Sequence, residues 1–518
     1  MRHSTFTALA ATALLTVAGA AATAPAAEAA PVPFPSIGWQ QRNCDFNGDG
    51  RDDVLVGAPG ATVGGAKGAG YVTVQYSSAG GISTTKRTVI HQNSTGVPGG
   101  AEAGDGFGWA VASGDLDNDG YDDAIVGIPG EDLGAFKDAG GATIFWGSPT
   151  GLHSAENMWM EDHEQARTGA KFGRNIEAAR FFALLSDDPD AYPRDSIAIL
   201  ENDALLLYIL GPGDLAATTG KSAQSAGKRG SLILAKERTV IRPQTKDATA
   251  AASGYGLRTL SHGNFNEDSW ADLAIGGITT GDGGGAGGTD VLHGSANIDD
   301  MSSGGVFDGG PTVTAGDFNH DGQDDLAIGD TGTGAASTGG AVDIYLAKGD
   351  LSGLDPVRAQ HWTQNSTGVP GGGESGDQWG ADLSAGDTNG DGLPDLAIGA
   401  PGEDVGSVSN AGAVWVLRGA PGGLTATGAR SFDQNSAYVP GGAETSDRWG
   451  GQVRLTDANN DGLFGLLAAA PGENTNDGVM WVLPATSSGI TAKGSWTYDG
   501  GTLGAWRTDT MYGAAMDE

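Results

Sequence analysis

One acidic loop recurs along this chain, so any fold must accommodate it as a repeating unit. The first copy is Asp45-Phe46-Asn47-Gly48-Asp49-Gly50-Arg51-Asp52-Asp53, followed by Val54-Leu55-Val56 and Gly57-Ala58-Pro59-Gly60. Close copies start at Asp115, Asp317, Asp387 and Asp457. A weaker copy, Asn264-Phe265-Asn266-Glu267-Asp268, lies between them, and a degraded one, Asp187-Asp188-Pro189-Asp190, fills the remaining slot. Successive starts are 70, 72, 77, 53, 70 and 70 residues apart.

Each unit carries further recurring pieces. An aromatic-Gly pair precedes most loops: Phe107-Gly108, Phe172-Gly173, Tyr255-Gly256, Trp379-Gly380 and Trp449-Gly450. Apolar runs such as Ala124-Ile125-Val126 follow the loops, and strand-like segments such as Tyr71 to Tyr76 and Thr88 to His91 come later in the unit. With 90 Gly and 21 Pro among 518 residues, a helical bundle is excluded. Four short strands per unit, separated by Gly/Pro turns, read as a propeller blade. The first unit lacks an aromatic-Gly strand before its loop, whereas Thr502-Leu503-Gly504-Ala505-Trp506 resembles an orphan copy of one. The expectation is an all-β, seven-bladed propeller closed by the C-terminal strand, with Leu503-Gly504 pairing into the blade that holds Asp45. Closure hides sheet edges that an open array would expose.

Loop positions 1, 3 and 5 place Asp or Asn oxygens on alternating residues, position 6 is Gly, and position 9 returns another Asp. Hard cations such as Ca2+ take six to eight oxygen ligands, and the spacing matches the first half of an EF-hand loop. Asp, Asn and Gly also make good turns, but a mere turn needs neither three alternating oxygens nor the position-9 Asp. With position 7 included, the expected ligand sets are Asp45, Asn47, Asp49, Arg51 and Asp53; Asp115, Asp117, Asp119, Tyr121 and Asp123; Asp317, Asn319, Asp321, Gln323 and Asp325; and Asp387, Asn389, Asp391, Leu393 and Asp395. Weaker candidates are Asp457, Asn459 and Asp461, where position 9 is Gly465, and Asn264, Asn266, Asp268 and Asp272. The Asp187 unit, without the Gly or the alternation, is expected to hold no ion.

These motifs resemble the FG-GAP repeats of integrin α-chains and related bacterial secreted proteins. The likeness rests on Phe107-Gly108 with Val126-Gly127-Ile128-Pro129, and on Val56-Gly57-Ala58-Pro59 and Ile398-Gly399-Ala400-Pro401 after their acidic loops. It implies calcium in hairpin loops on one face and adhesion or ligand binding through loops of the other. The third unit departs from its neighbours, with Phe181-Phe182, the stretch Asp187 to Asp190 and an insertion around Glu201 to Arg229. Either recognition or decay would explain that irregularity.

Met1-Arg2-His3, an apolar run to about Ala22 and Ala27-Glu28-Ala29 read as a secretory signal over residues 1–29, with a linker at 30–43 and one propeller domain over 44–518. No later stretch is apolar enough to span a bilayer. The formal net charge of -36 argues against nucleic acid as a partner, leaving an extracellular protein or a glycan, bound by a monomer. Cys44, the single cysteine, is expected to be a small strand residue. No Gly-x-Ser-x-Gly elbow or zinc-protease motif occurs. A catalytic carboxylate pair in the central channel therefore remains the form an enzyme would take. The near-identical segments at Gln92 to Gly100, Gln364 to Gly372 and Gln434 to Gly442 read as inter-blade scaffold rather than sugar-binding loops, and Trp146, Trp415 and Trp481 as packing residues at one shared strand position.

Overall fold

The apolar runs after the acidic loops have no polar alternation because both of their faces are covered. Val54–Ala58, Asp123–Ile128 and Asp395–Ala400 are buried throughout, sandwiched between neighbouring sheets. Outer strands such as Asn157–Met160 alternate half-buried and buried residues. The computed structural model describes residues 44–162, 166–183, 194–202, 204–211, 231–239, 255–279, 287–331 and 339–517. The proposed signal and linker, Asp187 to Asp190 and residues 212–230 lie outside them.

Among the described residues, 28 strands form seven four-stranded antiparallel sheets. Blade one is Ala515–Met516, Val54–Ala58, Tyr71–Gln75 and Arg87–Ile90; blade two is Val111–Gly114, Asp123–Ile128, Gly141–Phe145 and Asn157–Met160. Blades three to seven follow in chain order, opening with Asn175–Ala179, Tyr255–Gly263, Thr312–Gly316, Asp382–Gly386 and Gln452–Thr456. First strands of successive blades touch one another around the ring, so they line its axis. The apolar core lies between blades.

The two named motifs fit together at each blade boundary. A Cβ on Gly57, Gly127, Gly329 or Gly399 would stand 2.0–2.1 Å from the carbonyl oxygen of Gly108, Gly173, Gly380 or Gly450 in the next blade. Only glycine permits that approach. The aromatic before each of those later glycines packs edge-on against its own blade: Phe107 on Phe145 at 6.2 Å, Trp379 on Trp415 at 6.4 Å and Trp449 on Trp481 at 5.8 Å between centroids.

The ring closes through the C-terminus, but by a different segment from the one expected. Met516 and Ala515 pair with Val56 and Gly57. Tyr512-Gly513 is the missing aromatic-Gly pair, since the Gly513 N–H donates to the Gly57 carbonyl at 3.1 Å as Gly108 does to Gly127. Leu503-Gly504 forms no strand there. Leu503 is instead buried beside Val54 and Tyr71, in the way Val97, Val369 and Val439 fill their own blade boundaries.

Four further expectations are corrected. Leu205 to Leu210 is no insertion but the third strand of blade three, with Leu206 opposite Ile199. Phe181 and Phe182 are fully buried between blades three and four, which removes them from any recognition surface. Trp415 and Trp481 share a register position, opposite Ile398 and Ala468, whereas the matching residue opposite Val126 is Thr143, and Trp146 lies beyond the strand end. All three tryptophans are buried as packing residues. Cys44 is buried with a left-handed φ of 65° just before the first loop, outside any strand.

The repeated connections are scaffold in their geometry. Gln92, Gln364 and Gln434 donate to Glu131, Glu403 and Glu473 at 2.6–2.7 Å. Asn93, Asn365 and Asn435 accept the amide eight residues on at 3.1–3.2 Å.

Candidate metal centres

The acidic loops join the first strand of a blade to the second, or in blade one lead directly into the second strand, so all of them emerge on one face of the ring. The loop shape comes from its first residue, whose two carboxylate oxygens each accept a backbone N–H. Asp45 receives Asp49 and Gly50 at 2.9 and 2.7 Å, Asp115 receives Asp119 and Gly120 at 3.0 Å each, and Asp317 receives Asp321 and Gly322 at 2.9 Å each. Asp387 and Asp457 hold Gly392 and Gly462 in the same way. Position 9 stands at the start of the second strand and is anchored by an amide near the end of the third: Asp53 by Ser77, Asp123 by Gly147, Asp325 by Ala347 and Asp395 by Gly419, at 2.8–3.0 Å.

Burial and mutual repulsion make these carboxyls poor hosts for bare negative charge. Burial raises Asp53 and Asp325 to about 8, with neighbouring loop aspartates adding to the shift. Asp115 rises to about 7, and Asp123 and Asp395 also rise, again chiefly from burial. One carboxylate oxygen from each of Asp115, Asp117 and Asp123 lies within 4.8 Å of the others. In blade five, Asn319 Oδ1 and Asp325 Oδ2 are buried without a hydrogen-bond partner. Oxygens left unsatisfied at positions 3 and 9 are what a hard cation would fill, so the residues present fit calcium.

Two loops already hold a basic side chain of the chain against the position-9 aspartate. In blade six, Arg418 reaches Asp395 at 2.7 Å, with Asp395 fully buried and Arg418 nearly so. In blade four, His293 meets Asp272 at 3.1 Å, and that contact raises the imidazole. Both residues directly follow the third-strand residue that pairs with loop position 10, where blades one, two and five have Tyr76, Trp146 and Leu346. The signal was readable once the third strands were aligned, because a basic residue at that one position marks a loop with its own basic partner.

Blade three differs more. Its equivalent of the first ligand is Arg180, whose carbonyl accepts the Ala271 N–H as the Asp45 carbonyl accepts Asp122. Its position 9 is Ser196, whose hydroxyl accepts the Phe181 N–H at 3.0 Å. The loop thus begins at Arg180 rather than Asp187. In blade seven, Asn459 donates to Asp461 at 2.9 Å and Gly465 supplies no ligand.

Polar groups also collect on the first strands, along the axis. His262 pairs with Glu177, and the raised imidazole faces Asp195 and Asp324 as well. Cys44 bonds to Asp517 and accepts from Ser113 at 3.3 Å; burial pushes its thiol up. Arg454 is fully buried beside Asp52 and Asp517. Among the described residues, no helix is long and apolar enough to cross a membrane.

Parts of the chain are similar to known proteins. The FG-GAP repeat family matches residues 42–74, 107–145 and 379–417. Phosphatidylinositol-glycan-specific phospholipase D of Mus musculus is 32% identical over 128 residues, covering 24% of this chain and 15% of that protein. Integrin alpha-4 of Xenopus laevis is 30% identical over 135 residues, covering 26% of this chain and 12% of its own length. The chain therefore spans only a small part of the curated relatives it matches. A fucose-specific lectin from Aleuria aurantia overlays 75% of this chain and 94% of its own at 10% identity, with a TM-score of 0.33. The chain thus carries FG-GAP repeats, is similar to integrin α-chains over about a quarter of its length, and folds as a seven-bladed β-propeller.

Proposed function

We propose that the chain is a secreted, monomeric, calcium-stabilised and non-catalytic propeller for extracellular protein recognition or adhesion. The observation that carries the reading is the repeated loop geometry, in which the carboxylates of positions 1 and 9 are held on one face by backbone N–H contacts. Calcium belongs in the loops of blades one, two and five; Arg418 weakens the fourth site, at Asp387. Bound ions would rigidify that face and leave the opposite loops to contact a partner. The integrin relative supports a recognition role, and the apolar start of the sequence supports export.

The test is a pull-down from the secreted and cell-surface fraction with and without calcium, together with mass analysis of the mature N-terminus. Calcium-dependent capture of a surface protein by a chain beginning near Ala30 supports the reading; capture indifferent to chelation contradicts the calcium part. A second reading, an exported enzyme or polysaccharide-binding propeller, is favoured by the His262–Glu177 pair at the axis. It predicts that Glu177→Gln abolishes turnover or glycan binding while leaving the melting curve in place.

A further inference from the structure

Position 8 of the loop has no part in holding an ion, yet it does one thing in four blades. Its carboxylate crosses to the preceding blade and accepts the N–H of that blade's position 1. Asp122 takes Asp45 at 2.8 Å, Asp195 takes Asp115 at 3.0 Å, Asp324 takes Asn264 at 2.7 Å and Asp52 takes Asp457 at 2.9 Å. For Asp122, Asp195 and Asp324 the bond is returned, their own N–H donating to the same residue's carbonyl at 3.0–3.2 Å. The first ligand of one loop is thereby clamped, on both sides of its backbone, by the next blade.

We propose that the position-8 aspartates are inter-blade latches that couple neighbouring calcium loops, so that blades one and two bind calcium with positive cooperativity. The inference rests on the calcium reading and adds its regulation. Asp122 stands between Tyr121 and Asp123, two members of blade two's ligand set. An ion in that loop fixes the residues on either side of the latch. The latch in turn fixes Asp45, the first ligand of blade one, and linkage makes the effect reciprocal. The ring supplies its own contrast. Position 8 of blade six is Pro394, which has neither a carboxylate nor an N–H to offer Asp317 in blade five. In blade seven it is Phe464, which gives only its N–H to the Asp387 carbonyl at 3.0 Å. Asp195 latches blade two to blade three, where Arg180 replaces a ligand. Coupling between two full sites is thus confined to blades one and two.

The experiment uses the full chain carrying Asp321→Ala and Asp391→Ala, which leaves blades one and two to titrate with calcium. The expected isotherm is sigmoidal, the second ion binding about fivefold or more tightly than the first. Asp122→Ala should convert it to two independent sites that still bind, and Asp122→Asn, which keeps an acceptor oxygen, should restore part of the coupling. Independent sites in the parent, or cooperativity untouched by Asp122→Ala, would overturn the latch. Hydrogen exchange at the Asp45 amide in metal-free protein separates the two ideas. Faster exchange in Asp122→Ala supports the latch, and equal exchange overturns it. A parent that binds no calcium at all overturns the calcium reading and the coupling built on it.

Discussion

Arg418 shows how one side chain decides whether a loop needs an ion. Its guanidinium sits on a fully buried Asp395, and Thr388 Oγ1 donates to the same carboxylate. Removing one partner of a buried pair strands the other, at a cost of about 3 kcal/mol. Arg418→Ala should therefore destabilise the chelated protein by that order in urea unfolding. It should also add one calcium to the stoichiometry measured by titration and recover part of the lost stability. An unchanged stoichiometry would mean that the loop at Asp387 is a turn and no more. The acidic spacing was legible in the residues themselves, because side-chain oxygens on alternating positions can converge in few other ways. The basic partners were not, since Arg418 and His293 reach their aspartates across a strand pairing that sequence order does not display.

At the scale of elements, blades meet through glycine against carbonyl. Gly399→Ala would drive a Cβ to 2.1 Å from the Gly450 oxygen, and overpacking of this kind costs about 3 kcal/mol. Gly100→Ala, with nothing within 4 Å of the added carbon, should change stability by less than about 0.5 kcal/mol. Urea midpoints compare the two directly. On the opposite face, Gln364, Glu403 and Asp377 tie a blade's second-to-third-strand loop to the incoming connection, and the cluster recurs at Glu131 and Glu473. Burial raises Glu403 to about 7, and the Asp377 carboxylate beside it adds to the shift. A folded pKa above the usual value near 4.5 means that the folded state holds the extra proton. This contribution is complete below about 4.5 and is lost as pH rises through about 7. Glu403→Gln should therefore flatten the fall in melting temperature between those pH values; an unaltered slope would show that the pair is not protonated.

The described blades form a ring in which Ala515–Met516 completes the first sheet. Deleting residues 511–518 removes Tyr512-Gly513 and Ala515–Met516 and leaves Val54–Ala58 as an exposed edge. That truncation should broaden or abolish the cooperative melt and promote association on gel filtration. Leu503→Ala should only open a cavity, costing about 2–4 kcal/mol with the ring intact. Seven blades and closure were legible because the repeats count themselves. The closing strand was misplaced because Leu503-Gly504 follows the last full repeat directly, while Tyr512-Gly513, a better match to the aromatic-Gly pair, sits within residues of the end. The third blade was misread for a related reason: its first loop residue, Arg180, has lost the acid by which the others announce themselves.

Charge ties these scales together. The ligand positions 1, 3, 5 and 9 of four loops carry 13 carboxylates, and the chain has a formal net charge of -36. An ion that binds only the folded ring stabilises it by roughly 2.7 kcal/mol per site at a hundredfold excess over Kd. The most direct measurement is thermal melting of the full chain, verified metal-free, across a calcium titration. A calcium-stabilised ring predicts a melting temperature that rises by several degrees with calcium, a smaller rise in Asp119→Ala, and a nearly unchanged one in Asp461→Ala. A melting curve that ignores calcium would contradict it and return the loops to plain acidic turns.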